Sequence, residues 1–175
     1  LYPHLIMQYN ISPETLVPSE PVTGLVDKLL AGKASNPTEH CMTPNGAFFR
    51  KDKRGFLPEL METMYNDRTK YKKLMLQASQ EYENTKDPKL LKDISKYNNI
   101  QMAKKISLNS AYGAIGNNYF RYYDLMIASA ITTSGQLSIR WIEKSLNIYL
   151  NKLLETDNED YVIASDTDSV YITFD

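Results

Sequence analysis

Two aspartates one residue apart, Asp166 and Asp168, stand in the stretch VIASDTDSVYITF, which covers residues 162–174. Carboxylates are hard oxygen ligands, and Mg²⁺ is typically bound by one or two of them together with water and substrate phosphate. The apolar, strand-like sequence on both sides predicts two strands joined by a tight turn, with the aspartates at its tip. From these residues alone, a magnesium site and an ordinary aspartate-rich turn both remain open.

Two other kinds of site fit this chain poorly. A calcium-binding helix-loop-helix requires a ligand at the fifth loop position and glycine at the sixth, where this chain has Val170 and Tyr171. A Ser-His-Asp triad is poorly supported, because neither His4 nor His40 accompanies a nucleophile elbow.

A second group of polar residues falls on two predicted helices. Arg68 and Lys72 are four residues apart and share one face of the first helix, while Lys105, Asn109 and Tyr112 share a face of the second. Because the connecting turn centres near residue 86, Arg68 and Lys105 are level in an antiparallel pair. If the two faces also match, three cations converge and would suit a triphosphate, whereas a solvated lysine-rich helix face is the competing interpretation.

The elements that must position these residues follow from periodicity and turn signals. Apolar residues at helical spacing predict one helix from Pro58 to about residue 84 and another from about 124 to 154. Between them, Asp87 is a predicted N-cap for a helix that runs to about Ala111, where Gly113 and Gly116 are expected to break it. The first two helices should form an antiparallel hairpin because their connection is short.

The amino-terminal third gives weaker signals. Residues 1–11 predict a strand end that leads into a short helix. Residues 12–56 are rich in proline and glycine, which favours loops and short hairpins around turns such as Asn45-Gly46.

Composition limits the function classes. At 175 residues, 42% apolar and 23% charged, the chain is expected to fold around one sizeable core. The net charge of −1 gives no sign of nucleic-acid binding, so such a role must depend on local patches. The single cysteine, Cys41, excludes an intrachain disulfide and a four-cysteine zinc site, and no apolar run is long enough for a membrane span. Because the chain starts at Leu1 and not at a methionine, we expect it to be a piece of a longer protein.

Three segments, in order along the chain, resemble the conserved motifs of family B DNA polymerases. LYPHLIMQYNISPET is similar to the first palm motif, KKISLNSAYGAIGN to the fingers motif, and SDTDS to the D-T-D-S palm motif. The intervening FFRKDKRGFLPELMETMYNDRTKYKK and FRYYDLMIASAITTSGQ also resemble this family, most of all its T-even-like bacteriophage branch. The resemblance covers almost the whole chain.

The resemblance implies an α/β (α+β) fold, in which a partial palm sheet is interrupted by an antiparallel helical fingers hairpin. It divides the chain into residues 1–56 (palm segment and connecting loops), 57–113 (fingers hairpin) and 114–175 (palm segment with the long helix and aspartate hairpin). It implies transfer of a deoxynucleotidyl group from a dNTP to a primer 3′-hydroxyl on template DNA. Family analogy adds a sliding clamp, a single-strand-binding protein and the cytoplasm of a bacterial host cell.

The resemblance also implies a role for each matching residue. Asp168, and Asp166 as its companion, would be catalytic carboxylates that bind two Mg²⁺ ions, and Lys105 would assist catalysis. The residues implied in nucleotide binding are Leu1, Tyr2, Arg68, Lys72, Lys105, Asn109, Tyr112 and Gly113. Tyr2 would pack beneath the sugar and exclude a 2′-hydroxyl, while Tyr112 and Gly113 would contact the nascent base pair.

Two departures from the family pattern affect the expectations. His4 stands where many members have serine, and the family's first catalytic aspartate would lie four residues before Leu1. We therefore expect this chain alone to be catalytically inactive. A non-catalytic DNA-binding module derived from a degenerate polymerase is the alternative, while an RNA-dependent or RNA-making polymerase is disfavoured because Thr167 separates the aspartates.

Overall fold

The computed structural model describes residues 1–34 and 39–174, so a short part of the predicted loop region 12–56, residues 35–38, lies outside the described residues, as does residue 175. The helices are α1 (Tyr2–Tyr9), α2 (Leu25–Leu30), α3 (Phe56–Thr85), α4 (Lys89–Ile115) and α5 (Leu125–Leu154), with a 3₁₀ helix at Pro13–Thr15. The strands are β1 (Leu16–Val17), β2 (His40–Met42), β3 (Phe48–Arg50), β4 (Val162–Asp166) and β5 (Ser169–Ile172).

The three long helices agree with the sequence pattern, with differences at their ends. Helix α3 begins after Gly55 and carries Pro58 in its first turn, where a missing N–H costs nothing. Helix α4 begins one residue later than predicted, and its N-cap is Pro88 instead of Asp87. The carboxylate of Asp87 still accepts the free N–H of Lys89 at 2.9 Å. Asp124 caps α5 by accepting the N–H of Ile127.

The prediction that Gly113 breaks the second helix is wrong. Helix α4 continues through Gly113 to Ile115 and ends at Gly116. A glycine inside a helix costs about 1 kcal/mol relative to alanine. The side chain of Ile115 is 1% exposed, and its burial in the core outweighs that cost. The last turn is therefore held by tertiary packing, which no local pattern reveals.

The predicted antiparallel hairpin of α3 and α4 is confirmed. Tyr71 of α3 and Tyr97 of α4 bring their ring centroids to 6.2 Å, and Lys104 Nζ reaches Asp67 Oδ2 at 2.8 Å across the pair. The sequence predicted that residues 68 and 105 lie at the same height along the hairpin. The observed contact between residues 67 and 104 is close to that prediction.

The first eleven residues differ from the prediction, since they start as a helix without a preceding strand. Pro3 lies in the first turn of α1, which favours helix initiation, and the buried side chains of Leu5 and Ile6 face the core. The core cluster joins α1, α3, α4 and α5 with β3. Its members are Ile6, Ile11, Ala47, Phe49, Leu57, Met61, Leu108, Ile115, Ile127, Ala128, Ala130 and Ile131.

Asn10 fastens the end of α1 to the start of α3. It adopts a left-handed conformation (φ 56°) as the C-cap of α1 and is only 7% exposed. Its side-chain amide donates to the carbonyls of Arg50 and Lys53 at 2.7 and 2.8 Å, and its Oδ1 accepts the N–H of Gly55 at 2.9 Å. These three bonds connect the helix that carries Tyr2 with the helix that carries Arg68.

A carboxylate from a distant part of the chain caps α3. Gly55 has no side chain to accept the free N–H groups, and Glu14 Oε1 accepts the N–H of Phe56 at 2.6 Å instead. Burial favours the neutral carboxyl, but the hydrogen bonds from Ser12 and Phe56 prevail and lower the pKa of Glu14. The base of the α3–α4 hairpin is thereby attached to the segment that follows α1.

The strands form two small antiparallel sheets, in the order β1-β3-β2 and β4-β5. Phe49 is fully buried at the centre of the first sheet. The second is the predicted hairpin, in which Asp166 pairs with Ser169. The mixed helical and strand fold is confirmed. Within residues 1–34 and 39–174, no helix is long and apolar enough to cross a membrane.

Candidate functional site

The aspartate turn is a two-residue hairpin loop. Thr167 and Asp168 connect β4 to β5, and the N–H of Asp168 donates to the carbonyl of Asp166. Thr167 has φ 45°, a left-handed conformation that β-branched residues rarely adopt. Its hydroxyl donates to Asp166 Oδ1 at 3.0 Å, and the hydroxyl of Ser169 donates to the Asp166 carbonyl. The turn therefore presents both carboxylates in an exposed position on a fixed backbone.

The tip of this hairpin meets α1 and α4 around a cavity of about 300 Å³, here called the front cavity. The residues that line it are Leu1, Tyr2, Pro3, Asn109, Tyr112, Thr167 and Asp168. Five of these are residues that the sequence predicted for nucleotide or metal binding. They come from three separate parts of the chain, so the fold brings the first, second and third motifs to one place.

The wall of the front cavity contains a pair of aromatic rings. The ring centroids of Tyr2 and Tyr112 lie 4.6 Å apart at an interplanar angle of 36°. Both side chains are half-buried. Such contacts contribute about 0.5–1.5 kcal/mol beyond the area they bury, so each ring restrains the other. An aromatic wall of this kind can receive a sugar or base, and a cation bound at the neighbouring carboxylate would allow a phosphate group to lie beside it.

The predicted basic residues lie beside the front cavity rather than in its lining. Lys105 is about one helical turn from Asn109, roughly 6 Å along α4, and its side chain is exposed. Lys72 is exposed on α3, while Arg68 is half-buried and its Nε is buried without a hydrogen-bond partner among the described residues. A buried unpaired donor costs about 1–3 kcal/mol, which a bound anion could offset at this guanidinium.

The α3–α4 hairpin is locally basic although the chain as a whole is not. Residues 57–113 contain ten lysines and arginines against seven acidic residues. Within residues 1–34 and 39–174, Arg68, Lys72 and Lys105 have no carboxylate within ion-pair distance. Their charge is therefore not neutralised by an ion pair within these described residues.

The ion pair between Asp67 and Lys104 fixes the register of the hairpin at this level. Its side chains are 41% and 34% exposed, less than those of any other ion pair in the described ranges. The pair occupies the residues immediately before Arg68 and Lys105. It therefore holds the two helix segments that carry the candidate phosphate-binding cations.

Replacing Asp67 by asparagine should destabilise the chain by about 1 kcal/mol, near the upper end for partly exposed pairs. Urea unfolding followed by circular dichroism measures this change, and Glu83→Gln at the exposed Lys86–Glu83 pair is the matched control. The exchange Asp67→Lys with Lys104→Asp should restore most of the lost stability. An equal loss from Glu83→Gln, or no recovery in the exchange, would show that the pair has no special role.

The structure does not bring every predicted residue together. Asp166 and Gly113 are exposed and do not line the front cavity. Among the described residues, no group of three or more histidine, cysteine or acidic side chains is placed to hold a metal ion. Pro3 and Thr167 line the cavity but were not predicted; the only sequence signal for Thr167 was its place between two aspartates.

Comparison with known proteins gives one consistent result. A family model described as DNA polymerase family B matches residues 1–175. The DNA-directed DNA polymerases of Enterobacteria phage T4 and Escherichia phage RB69 are 34% and 35% identical over 217 residues, covering 100% of this chain and 24% of each protein. The DNA polymerase delta catalytic subunit of Arabidopsis thaliana is 33% identical, covering 99% of this chain and 14% of that protein.

A solved structure agrees with these relatives. The family B DNA polymerase of the archaeon Pyrobaculum calidifontis superposes with a TM-score of 0.60 at 26% identity, covering 97% of this chain and 18% of that one. The chain spans about a quarter of the length of the phage relatives it matches. The predicted family is confirmed, with phage relatives as predicted: the chain belongs to DNA polymerase family B.

Proposed function

We propose that this chain is the palm-and-fingers part of a DNA-directed DNA polymerase, which transfers a nucleotide from a dNTP to a primer 3′-hydroxyl opposite a DNA template. The observation that carries the proposal is the front cavity, in which Tyr2, Asn109, Tyr112 and Asp168 meet from three motifs. Primer-template DNA and dNTP are the proposed partners. A sliding clamp, a single-strand-binding protein and action in the cytoplasm of a bacterial host extend the proposal by family analogy.

The three sequence segments are proposed to form the palm and fingers subdomains. Residues 57–113 act as fingers, since they form a helical hairpin with a net positive charge. Residues 1–56 and 114–175 act as palm and supply Tyr2 and Asp168. The hydrogen bonds of Asn10 and Glu14 join the base of the hairpin to the first palm segment, which supports a fixed relation between the two.

Asp168 and Asp166 are the proposed ligands for Mg²⁺. Two exposed carboxylates suit an ion that takes its other ligands from water and substrate phosphate, and Asp168 lines the cavity where that phosphate would lie. The chemistry that two bound Mg²⁺ ions would supply is stabilisation of the attacking and leaving oxygens. Asp168 is the principal ligand in this proposal, because Asp166 already accepts the Thr167 hydroxyl.

The fingers residues are proposed to bind and orient the triphosphate. Lys105 and Arg68 would offset the charge that develops on the leaving phosphate oxygens, while Lys72 and Asn109 would position them. The backbone N–H groups of Leu1 and Tyr2, near the start of α1, are proposed to donate to phosphate oxygens. Tyr112 and Gly113 would lie against the nascent base pair, and the Tyr2 ring would exclude a 2′-hydroxyl.

Primer extension by the complete polymerase tests the proposal. We expect extension that depends on template, dNTP and Mg²⁺, with each added nucleotide complementary to the template base. Binding of primer-template without extension under any divalent cation would favour a non-catalytic DNA-binding module and refute the proposal. The same assay, run on residues 1–175 alone, tests the sequence-based expectation that this chain is inactive by itself.

A further inference from the structure

The ring of Tyr2 lies between helices α4 and α5, and the residue of α5 that faces it is a glycine. Besides Tyr112 of α4, the ring of Tyr2 approaches Gly135 of α5. A Cβ atom added at Gly135 would lie 3.7 Å from Tyr2 Cε1, 3.5 Å from Leu1 Cδ2 and 3.8 Å from Leu5 Cδ1. Helix α5 thus meets the start of α1 here at a residue without a side chain.

Helix stability gives no reason for a glycine at this position. Glycine inside a helix costs about 1 kcal/mol relative to alanine, and Gly135 lies in the interior of the 30-residue helix α5. The added methyl would make only ordinary van der Waals contacts, at 3.5 Å and beyond. Alanine would therefore fit and stabilise the helix, which indicates that the missing side chain serves the ring it faces.

The space left by Gly135 forms part of a second cavity of about 250 Å³, here called the rear cavity. It is lined by Leu1, Tyr2, Thr132, Gly135, Gln136, Ile139 and Thr167. Leu1, Tyr2 and Thr167 also line the front cavity, so these residues separate the two spaces. The Tyr2 ring is supported by Tyr112 but has open volume beside Gly135.

We propose that Gly135 determines sugar specificity: by leaving the rear cavity open, it sets how far the Tyr2 ring projects into the front cavity. The inference rests on the proposed function, because it needs a nucleotide sugar at Tyr2. A methyl group at residue 135 fits without displacing the ring but removes the space into which the ring can retreat. A larger side chain such as valine fills more of the rear cavity and moves the ring towards the sugar. Gly135 does not touch the substrate, so it is a positioning residue that acts through Tyr2.

The test measures kcat and KM for a dNTP and the matching rNTP with the complete polymerase carrying Gly135→Ala, Gly135→Ser or Gly135→Val. Alanine and serine should increase the preference for dNTP about threefold, and valine about tenfold. These effects are at or below the lower end of what one methylene group gives in direct contact with a substrate, because Gly135 acts through Tyr2. The valine variant should also raise KM for dNTP about tenfold with kcat changed less than threefold. Ser129→Val, at an exposed position of the same helix, is the matched control and should change neither value.

A double-mutant cycle separates this role from general damage. Tyr2→Ala should lose most discrimination against rNTP, and adding Gly135→Val to it should then cause no further change in the preference for dNTP. An effect of Gly135→Val that persists without the Tyr2 ring overturns the proposal. An unchanged preference for dNTP in the alanine and serine variants also overturns the proposal. Because these two side chains fit the observed space, the variants can be measured even if the valine variant does not fold. Absence of extension by the unmodified polymerase would instead refute the proposed function itself.

Discussion

Replacing Asp168 by alanine in the complete polymerase is expected to lower the rate of nucleotide incorporation by on the order of a thousandfold, the loss seen when a group that stabilises transition-state charge is removed. Affinity for primer-template DNA should change less than threefold, because the carboxylate is exposed and makes no hydrogen bond that the described fold depends on. Single-turnover incorporation measures the first quantity, and a filter-binding or anisotropy titration measures the second.

The neighbouring carboxylates supply the controls for this variant. Asp166→Ala should cost at least tenfold less than Asp168→Ala, since Asp166 does not line the front cavity and its carboxylate accepts the Thr167 hydroxyl. Asp157→Ala, in the exposed acidic loop before β4, should leave incorporation unchanged. Equal losses at all three positions would point to a general electrostatic effect. A parallel loss of DNA binding at Asp168 would indicate misfolding of the hairpin.

The elements near the site were predictable because each has a strong local signal. Apolar residues that recur at helical spacing over some thirty positions predict a helix and not a strand. Two such helices joined by a short connection pack as an antiparallel pair. The β4–β5 hairpin was predictable because apolar runs flank a polar tip. Level basic residues followed from counting along two helices of known rise, and the Asp67–Lys104 contact agrees with that count.

The differences arise where distant contacts override local preference. Gly113 remains helical because Ile115, two residues later, is buried in the core. The start of the chain is a helix because Leu5 and Ile6 need a buried face, although the sequence of residues 1–11 predicted a strand end before the helix. The anchoring role of Asn10 depends on backbone groups at residues 50–55, some forty positions away, so its own sequence neighbourhood carries no sign of it.

The convergence of motifs on one cavity could not be derived from spacing at all. Leu1 and Asp168 line the same space, but nothing in the residues between them gives their separation in three dimensions. The family resemblance predicted this convergence because it carries the fold as a whole. Even so, it did not single out Gly135 or Thr167, whose positions around Tyr2 appear only once the ring of Tyr2 is placed between α4 and α5.

Lys105→Ala should produce the second large effect, a rise of about a hundredfold in the KM for dNTP together with a drop of about tenfold in kcat. Both parameters change because a cation that binds the triphosphate holds it in the ground state and also offsets charge on the leaving oxygens. Lys105 is suited to both roles, since it is exposed, unpaired among the described residues and one turn from Asn109. Steady-state kinetics over a wide range of dNTP concentration gives the two values.

The comparison with other lysines decides whether this effect is specific. Lys92→Ala, on an exposed part of the same helix, removes the same charge and should change KM less than twofold. Lys104→Ala should raise KM indirectly, because it breaks the ion pair that fixes the hairpin register. Asp67→Asn breaks the same pair and should therefore have the same effect as Lys104→Ala, which is smaller than that of Lys105→Ala. Lys105→Arg should recover part of the loss, because it keeps the charge while changing its geometry. A similar rise in KM for Lys92→Ala would mean that the hairpin acts as a diffuse positive field, with no defined phosphate contact at Lys105.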